Sequence, residues 1–198
     1  MVDERTDAQV IAASITDSAE FAVVYDRHAA VVFRFLVRRV GRDTAEELLG
    51  DTFRIAFERR DTFDTSRPNA LPWLYGIATN LLARHRRTEA RRLRAVERIA
   101  AARDDDSVAD DAASAVDARA RYRAAADAIA SLPDGERDAL LLFVWEELDY
   151  EDIAFALGVP VGTVRSRLNR ARRRLRELEP LIGEEKSNHR DGDARIRS

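Results

Sequence analysis

Between Val161 and Arg176 two incompatible surfaces share one segment, and only a helix can separate them. Val164, Leu168, Ala171 and Leu175 recur at i, i+4, i+7 and i+11, the spacing of a single helical face. Arg165, Ser166, Asn169, Arg170 and Arg173 fall on the other side. The span from Arg165 to Arg176 holds seven arginines and no interleaved acid, which is unlike an ordinary solvated face. A helix fixed along one edge and carrying Arg, Ser and Asn along the other suits a DNA groove.

The segment before it supplies the rest of a helix-turn-helix. Asp149 is placed to cap a short helix whose inner face is Ile153, Ala154 and Leu157, with Asp152 favouring its positive end. Gly158 follows where a left-handed C-cap is wanted. Pro160 stops the short helix and suits the start of the next.

Few Gly and Pro (8 and 5 in 198 residues) favour long helices over turn-rich sheet. The expected fold is all-α: two small helical domains joined by a flexible acidic linker. Apolar spacing predicts one helix from about Phe21 to Arg39, ended by Gly41. A second is expected to start in a capping-box-like Asp43 and Glu46 and to run to about Arg60. A polar loop spans 61–70, and a third helix opens at Pro72 with Leu74, Ile77, Ala78, Leu81 and Leu82 inside. Two further helices, 118–131 and 134–147, support the helix-turn-helix. Residues 1–17 lack periodicity and read as frayed, and the tail after Pro180 reads as disordered.

The absence of Cys excludes disulfides and thiolate metal sites, and the three His (28, 85, 189) are scattered. Neither a metal nor another cofactor is expected, and no catalytic residue stands out. No long apolar run offers a membrane span, and MVDERTDAQV lacks the basic start of a signal peptide, so a cytoplasmic protein without membrane insertion is expected. The net charge of −3 conceals opposed blocks. Residues 84–98 hold seven Arg and two Glu, while 103–117 hold one Arg and six Asp. Over a Debye length of about 8–10 Å, the block and not the total decides what a surface attracts.

Trp73 follows a loop carrying Phe63, Asp64, Arg67 and Asn69 and precedes Asn80 and Arg84. Aromatics beside a basic track are equipped to hold unstacked bases; Phe63 and Trp73 are equally suited to a plain core. Asp43, Glu46, Glu47 and Asp51 occupy one arc of a helix, open to three roles: a solvated face, a docking surface for a basic partner, or a divalent-metal site.

These residues together resemble a bacterial RNA polymerase sigma factor of the sigma-70 family, in its short extracytoplasmic-function (ECF) group. AEELLGDTFRIAFERRDTFD with PWLYGIATNLLARHRR is similar to region 2, and LPDGERDALLLFVWEELDYEDIAFALGVPVGTVRSRLNRARRRLRE to region 4. The resemblance implies a region 2 domain at 18–98, an acidic linker at 99–117 and a region 4 helix-turn-helix domain at 118–180, between a disordered start (1–17) and tail (181–198).

It further implies a role in transcription initiation: binding core RNA polymerase and directing it to the minus-35 and minus-10 elements of promoter DNA, by recruitment and without catalysis or a small-molecule substrate. Arg165, Ser166, Asn169 and Arg170 would meet minus-35 base edges or nearby phosphates, with Arg167, Arg172 and Arg173 on the backbone. Phe63, Asp64, Arg67, Asn69, Trp73 and Asn80 would form the minus-10 pocket, and Arg84, Arg86 and Arg87 would follow the strand. Glu46, Glu47, Asp51 and Phe53 become polymerase contacts, and an anti-sigma factor is an expected further partner. Gly50 departs from the polar residue usual at its position. A different helix-turn-helix regulator would need a ligand or receiver domain, for which the N-terminal half shows no alternating strands or phosphate loop. A metal-dependent nuclease or recombinase built on the 43–51 carboxylates is the enzyme-class alternative.

Overall fold

The computed structural model describes residues 4–100 and 116–184, and every regular element in them is helical. In order these are α1 (Asp7–Ser14), α2 (Ala22–Val40), α3 (Arg42–Glu58), α4 (Leu71–Ala100), α5 (Val116–Ser131), α6 (Asp134–Trp145), α7 (Tyr150–Leu157) and α8 (Val161–Glu184). Single 3-10 turns lie at Ser18–Phe21 and Arg60–Thr62. Residues 101–115, the heart of the expected acidic linker, lie outside the described residues.

The chain divides into two compact units. Among the described residues, the first combines 4–100 with 142–164 and the second 116–141 with 165–184. In the first unit α2 and α3 are joined by Gly41 alone, whose φ of 78° reverses the chain in one step. Their facing sides bury Val32, Phe35, Leu36, Ala45, Leu48, Phe53 and Ala56. Each large side chain so buried contributes about 1.5–3 kcal/mol. Helix α4 completes this core with Leu74, Tyr75, Ala78 and Leu82. The inner stripe is rotated from the expected one: Ile77 and Leu81 are only half-buried, and Tyr75 is fully buried against Phe35.

Three local expectations are corrected. The start of the chain is a helix: Thr6 and Gln9 form a reciprocal capping box, and Val10 and Ile11 are buried. The signal was present as Thr6-x-x-Gln9 ahead of an apolar pair. Helix α3 has Gly41 at its N-cap without a side-chain cap, so Asp43 lies inside the first turn and Glu46 pairs instead with Arg42 at 3.2 Å. Helix α8 continues through Pro180 to Glu184, where a disordered tail was expected from 181.

Helix α7 packs along α4 within the first unit. Gly76 permits this, because a Cβ at that position would lie 2.5 Å from the carbonyl oxygen of Ala156. The Tyr75 hydroxyl donates to Glu146, and Arg38 approaches the same carboxylate at 3.8 Å. Burial, reinforced by that carboxylate, pushes the Tyr75 hydroxyl well above the usual phenol range and keeps it a donor. The second unit is smaller, with Ala128, Leu132, Ala139, Leu140, Leu168 and Ala171 buried.

Candidate nucleic-acid interface

Helix α8 is entered through a tightly specified turn. The Asp149 side chain accepts from Asp152 N–H at 2.7 Å and caps α7. Gly158 closes α7 in the left-handed conformation (φ 61°), with Val159 N–H reaching back to Ala154 O at 3.0 Å. Pro160 then offers its carbonyl to Thr163 and Val164 at the first turn of α8.

Along α8, Val164, Leu168 and Ala171 are fully buried, while Arg165, Asn169, Arg170, Arg172 and Arg173 are exposed and Ser166 and Arg167 half-buried. The two faces expected from periodicity are therefore present. The charge is organised by something absent from the local sequence. Glu136, on the first turn of α6 and 6% exposed, accepts a hydrogen bond from Arg170 Nε at 2.8 Å and forms an ion pair with Arg174, whose Nε lies 3.1 Å away. The Arg167 guanidinium lies over Gly135, where a Cβ would meet it at 2.9 Å. Arg170 is thus held by an acid across the unit, a partner that its expected role among the base readers did not include. Arg165 and Asn169 carry no such tie and remain the exposed polar pair nearest the helix start.

Helix α4 carries the other basic track. Asn80, Arg84 and Arg87 lie seven, eleven and fourteen residues beyond Trp73, so at 100° per residue all four share one stripe. Asn80, Arg84 and Arg87 are exposed and Trp73 half-buried. Arg86 does not belong to this stripe. It follows Tyr75, Thr79 and Leu82 on the inward side and is half-buried, apart from Arg84 and Arg87.

The loop before α4 is more ordered than its composition suggests. The Phe63 ring is 5% exposed and packs on Trp73 at 5.1 Å between centroids, so it braces the loop. Asp64 accepts from the Ser66 N–H and hydroxyl at 3.0 and 2.7 Å, closing a turn that holds its carboxyl below the usual carboxylate range. Asn69 Oδ1 accepts from Leu71 N–H at 2.9 Å and caps α4. Arg67 pairs with Asp152 at 2.9 Å and lies 4.0 Å from the Phe155 ring centroid, so its guanidinium is engaged by α7.

On α3, Asp43, Glu46, Glu47, Gly50 and Arg54 are exposed. Asp51 and Glu58 flank Arg54 at 3.1 and 2.9 Å. Phe53 is 6% exposed and stacks edge-on against Tyr25, a core residue where a polymerase contact was expected. Among the described residues no three His, Cys, Asp or Glu side chains converge as metal ligands, and no helix is long and apolar enough to cross a membrane.

Residues 24–92 match Sigma-70 region 2, and residues 122–175 match Sigma-70, region 4. The ECF RNA polymerase sigma factor SigL of Mycobacterium tuberculosis is 31% identical over 171 residues, spanning 85% of this chain and 94% of that protein. The chain belongs to the ECF sigma factors. The ECF RNA polymerase sigma-E factor of Haemophilus influenzae is 29% identical to this sigma factor over 92% of its length and 100% of the relative. Among solved structures, the sigma factor RpoE of Bartonella quintana, in complex with the anti-sigma factor NepR, superposes with a TM-score of 0.58. It is 26% identical, covering 81% of this chain and 97% of that one.

Proposed function

We propose that this sigma factor binds core RNA polymerase and reads two promoter elements with two separate helices, each weak alone. The exposed face of α8, led by Arg165 and Asn169, takes the minus-35 element, with Ser166 beside it and Arg167, Arg172 and Arg173 on phosphates. The Trp73–Asn80–Arg84–Arg87 stripe of α4, with loop 61–70, takes the melted minus-10 strand. The exposed acids Glu46 and Glu47, with Asp51, form a docking face for polymerase. Tethering both readers to one polymerase raises the effective concentration of the second once the first has bound. The factor acts by recruitment in the cytoplasm, without catalysis of its own, and an anti-sigma factor is its regulatory partner.

The observation that carries this reading is the α4 stripe. A half-buried aromatic, an exposed amide offering donor and acceptor, and two exposed arginines follow one another along a single helical stripe. Reconstitution with core polymerase and run-off transcription from duplex promoters tests it. Sequence-specific initiation dependent on the factor is expected. Specific initiation by core alone, or tight specific DNA binding by the factor without core, would overturn it. Asn80→Ala should retain core affinity and fail equally on duplex and premelted promoters, because a flipped base needs hydrogen bonds on its pairing edge. Cleavage of DNA in Mg²⁺ abolished by Asp51→Ala would favour the nuclease reading instead.

A further inference from the structure

Helix α1 touches both ends of loop 61–70. At the entry side, Arg60 Nε donates to Ser14 O at 3.2 Å, from the last residue of α1. At the exit side, Asp7 N–H donates to Pro68 O at 3.0 Å and Asp7 Oδ2 accepts from Ala70 N–H at 2.9 Å. Asp7 is itself 6% exposed, and its carboxylate is gripped from α2 by Arg27 at 2.8 Å and His28 at 2.7 Å. Burial works against this charge, but the His28, Ala70 and Arg27 hydrogen bonds outweigh it and hold the carboxyl well below the usual range.

Helix α1 is already anchored by buried Val10 and Ile11, and the Thr6 capping box satisfies the Gln9 N–H of its first turn. The charge is spent outside α1, on the backbone of the loop and on α2. Ala70 is the residue whose carbonyl starts the α4 hydrogen-bond ladder, through Leu74 N–H at 3.0 Å. Whatever fixes Ala70 therefore fixes both the end of the loop and the direction in which the Trp73–Asn80 stripe leaves it.

We infer that α1 is a strap across the two stems of loop 61–70 and that Asp7 is a positioning residue for capture of the minus-10 strand. This rests on the reading of that loop and stripe as the base-capturing site. Asp7 touches no DNA; it acts by holding Pro68 and Ala70 in place before the strand arrives.

The test uses the full chain bound to core polymerase, with a promoter carrying 2-aminopurine at the flipped position as reporter of base capture. Asp7→Asn and Asn80→Ala are run side by side. Asp7→Asn is expected to speed hydrogen exchange at the Ala70 amide about tenfold more than at α3 and mid-α4 amides, the excess reporting the loss of one charge-assisted bond there. Base capture should slow by about tenfold through the loosened geometry, with core affinity intact. Thr6→Ala, which weakens α1 without touching the buried charge, should produce the same pattern in smaller measure and replaces Asp7→Asn if that variant does not fold.

Unchanged exchange at Ala70, or exchange accelerated evenly across α2, α3 and α4, would overturn the strap. So would normal base capture by Asp7→Asn while Asn80→Ala fails, an outcome that leaves the pocket standing. Normal capture by both variants would remove the pocket itself, and the strap with it.

Discussion

Helices α4 and α8 both carry a dense run of arginines, and the structure disciplines the two runs by different means. On α4 the helical period alone sorts them, sending Arg84 and Arg87 outward and Arg86 inward behind Tyr75 and Leu82. On α8 the period leaves most arginines outside, and a buried acid from another helix, Glu136, takes two of them back. Counting arginines along a helix therefore overstates the charge available to DNA in both cases. The correction is local for α4 and tertiary for α8.

The two helices also begin differently, and this gives the largest expected effect. The start of α4 is tied to the buried Asp7 charge, whereas α8 starts on the Pro160 carbonyl. Asp7→Asn should lower unfolding free energy at neutral pH by about 2–3 kcal/mol, as expected for hydrogen bonds to a charged group. Because the folded carboxyl titrates below its unfolded value of about 4, its contribution is present above that pH and is lost as pH falls towards the folded value. The gap between wild type and Asp7→Asn should accordingly narrow below about pH 4 in denaturant melts. A gap constant down to pH 2.5 would mean that the charge does not matter.

Next is the glycine in each helix. Gly76 faces the Ala156 backbone, so Gly76→Ala must displace α7 or α4 and should cost about 1–3 kcal/mol in chemical denaturation. A neutral result would show that the α4–α7 packing yields easily.

Similar in size, but read as specificity, is the loss on Arg165→Ala. Discrimination between matched and mismatched minus-35 elements should fall by about 1–3 kcal/mol. Arg84→Ala should weaken matched and mismatched promoters alike and reduce the salt dependence by about one phosphate contact. Equal losses on all sequences for Arg165→Ala would place it on the backbone as well.

Glu136→Gln sharpens the contrast further. Its arginine partners are about half exposed, so stability should change by about 1 kcal/mol or less. Non-specific duplex affinity and its salt slope should nevertheless rise as Arg170 and Arg174 are released, which filter binding at two salt concentrations would reveal. No change in slope would mean that the pair already reaches phosphate around the acid.

The smallest effect reverses the Gly76 experiment. A Cβ on Gly162 meets nothing within 4 Å, so Gly162→Ala should stabilise α8 by about 0.5–1 kcal/mol through helix propensity alone.

The sequence by itself determined every described helix but α1, the Asp149 and Gly158 caps, the end of α2 at Gly41 and the two-faced α8. Each is a consequence of backbone preference or of the 3.6-residue period, and both act within a few residues. The same short range also carried the capping box of α1, although without an apolar stripe its helix did not stand out. Only the tertiary structure decided which members of the candidate sites are available. Phe63 and Phe53 went to the core because Trp73 and Tyr25 stand beside them, and Arg67 went to Asp152 and Phe155, far along the chain. Arg170 went to Glu136, thirty-four residues away. Asp7 joined the site through Pro68 and Ala70, more than sixty residues on. Burial and charge pairing depend on which atoms meet in space, and no local window of sequence contains both partners.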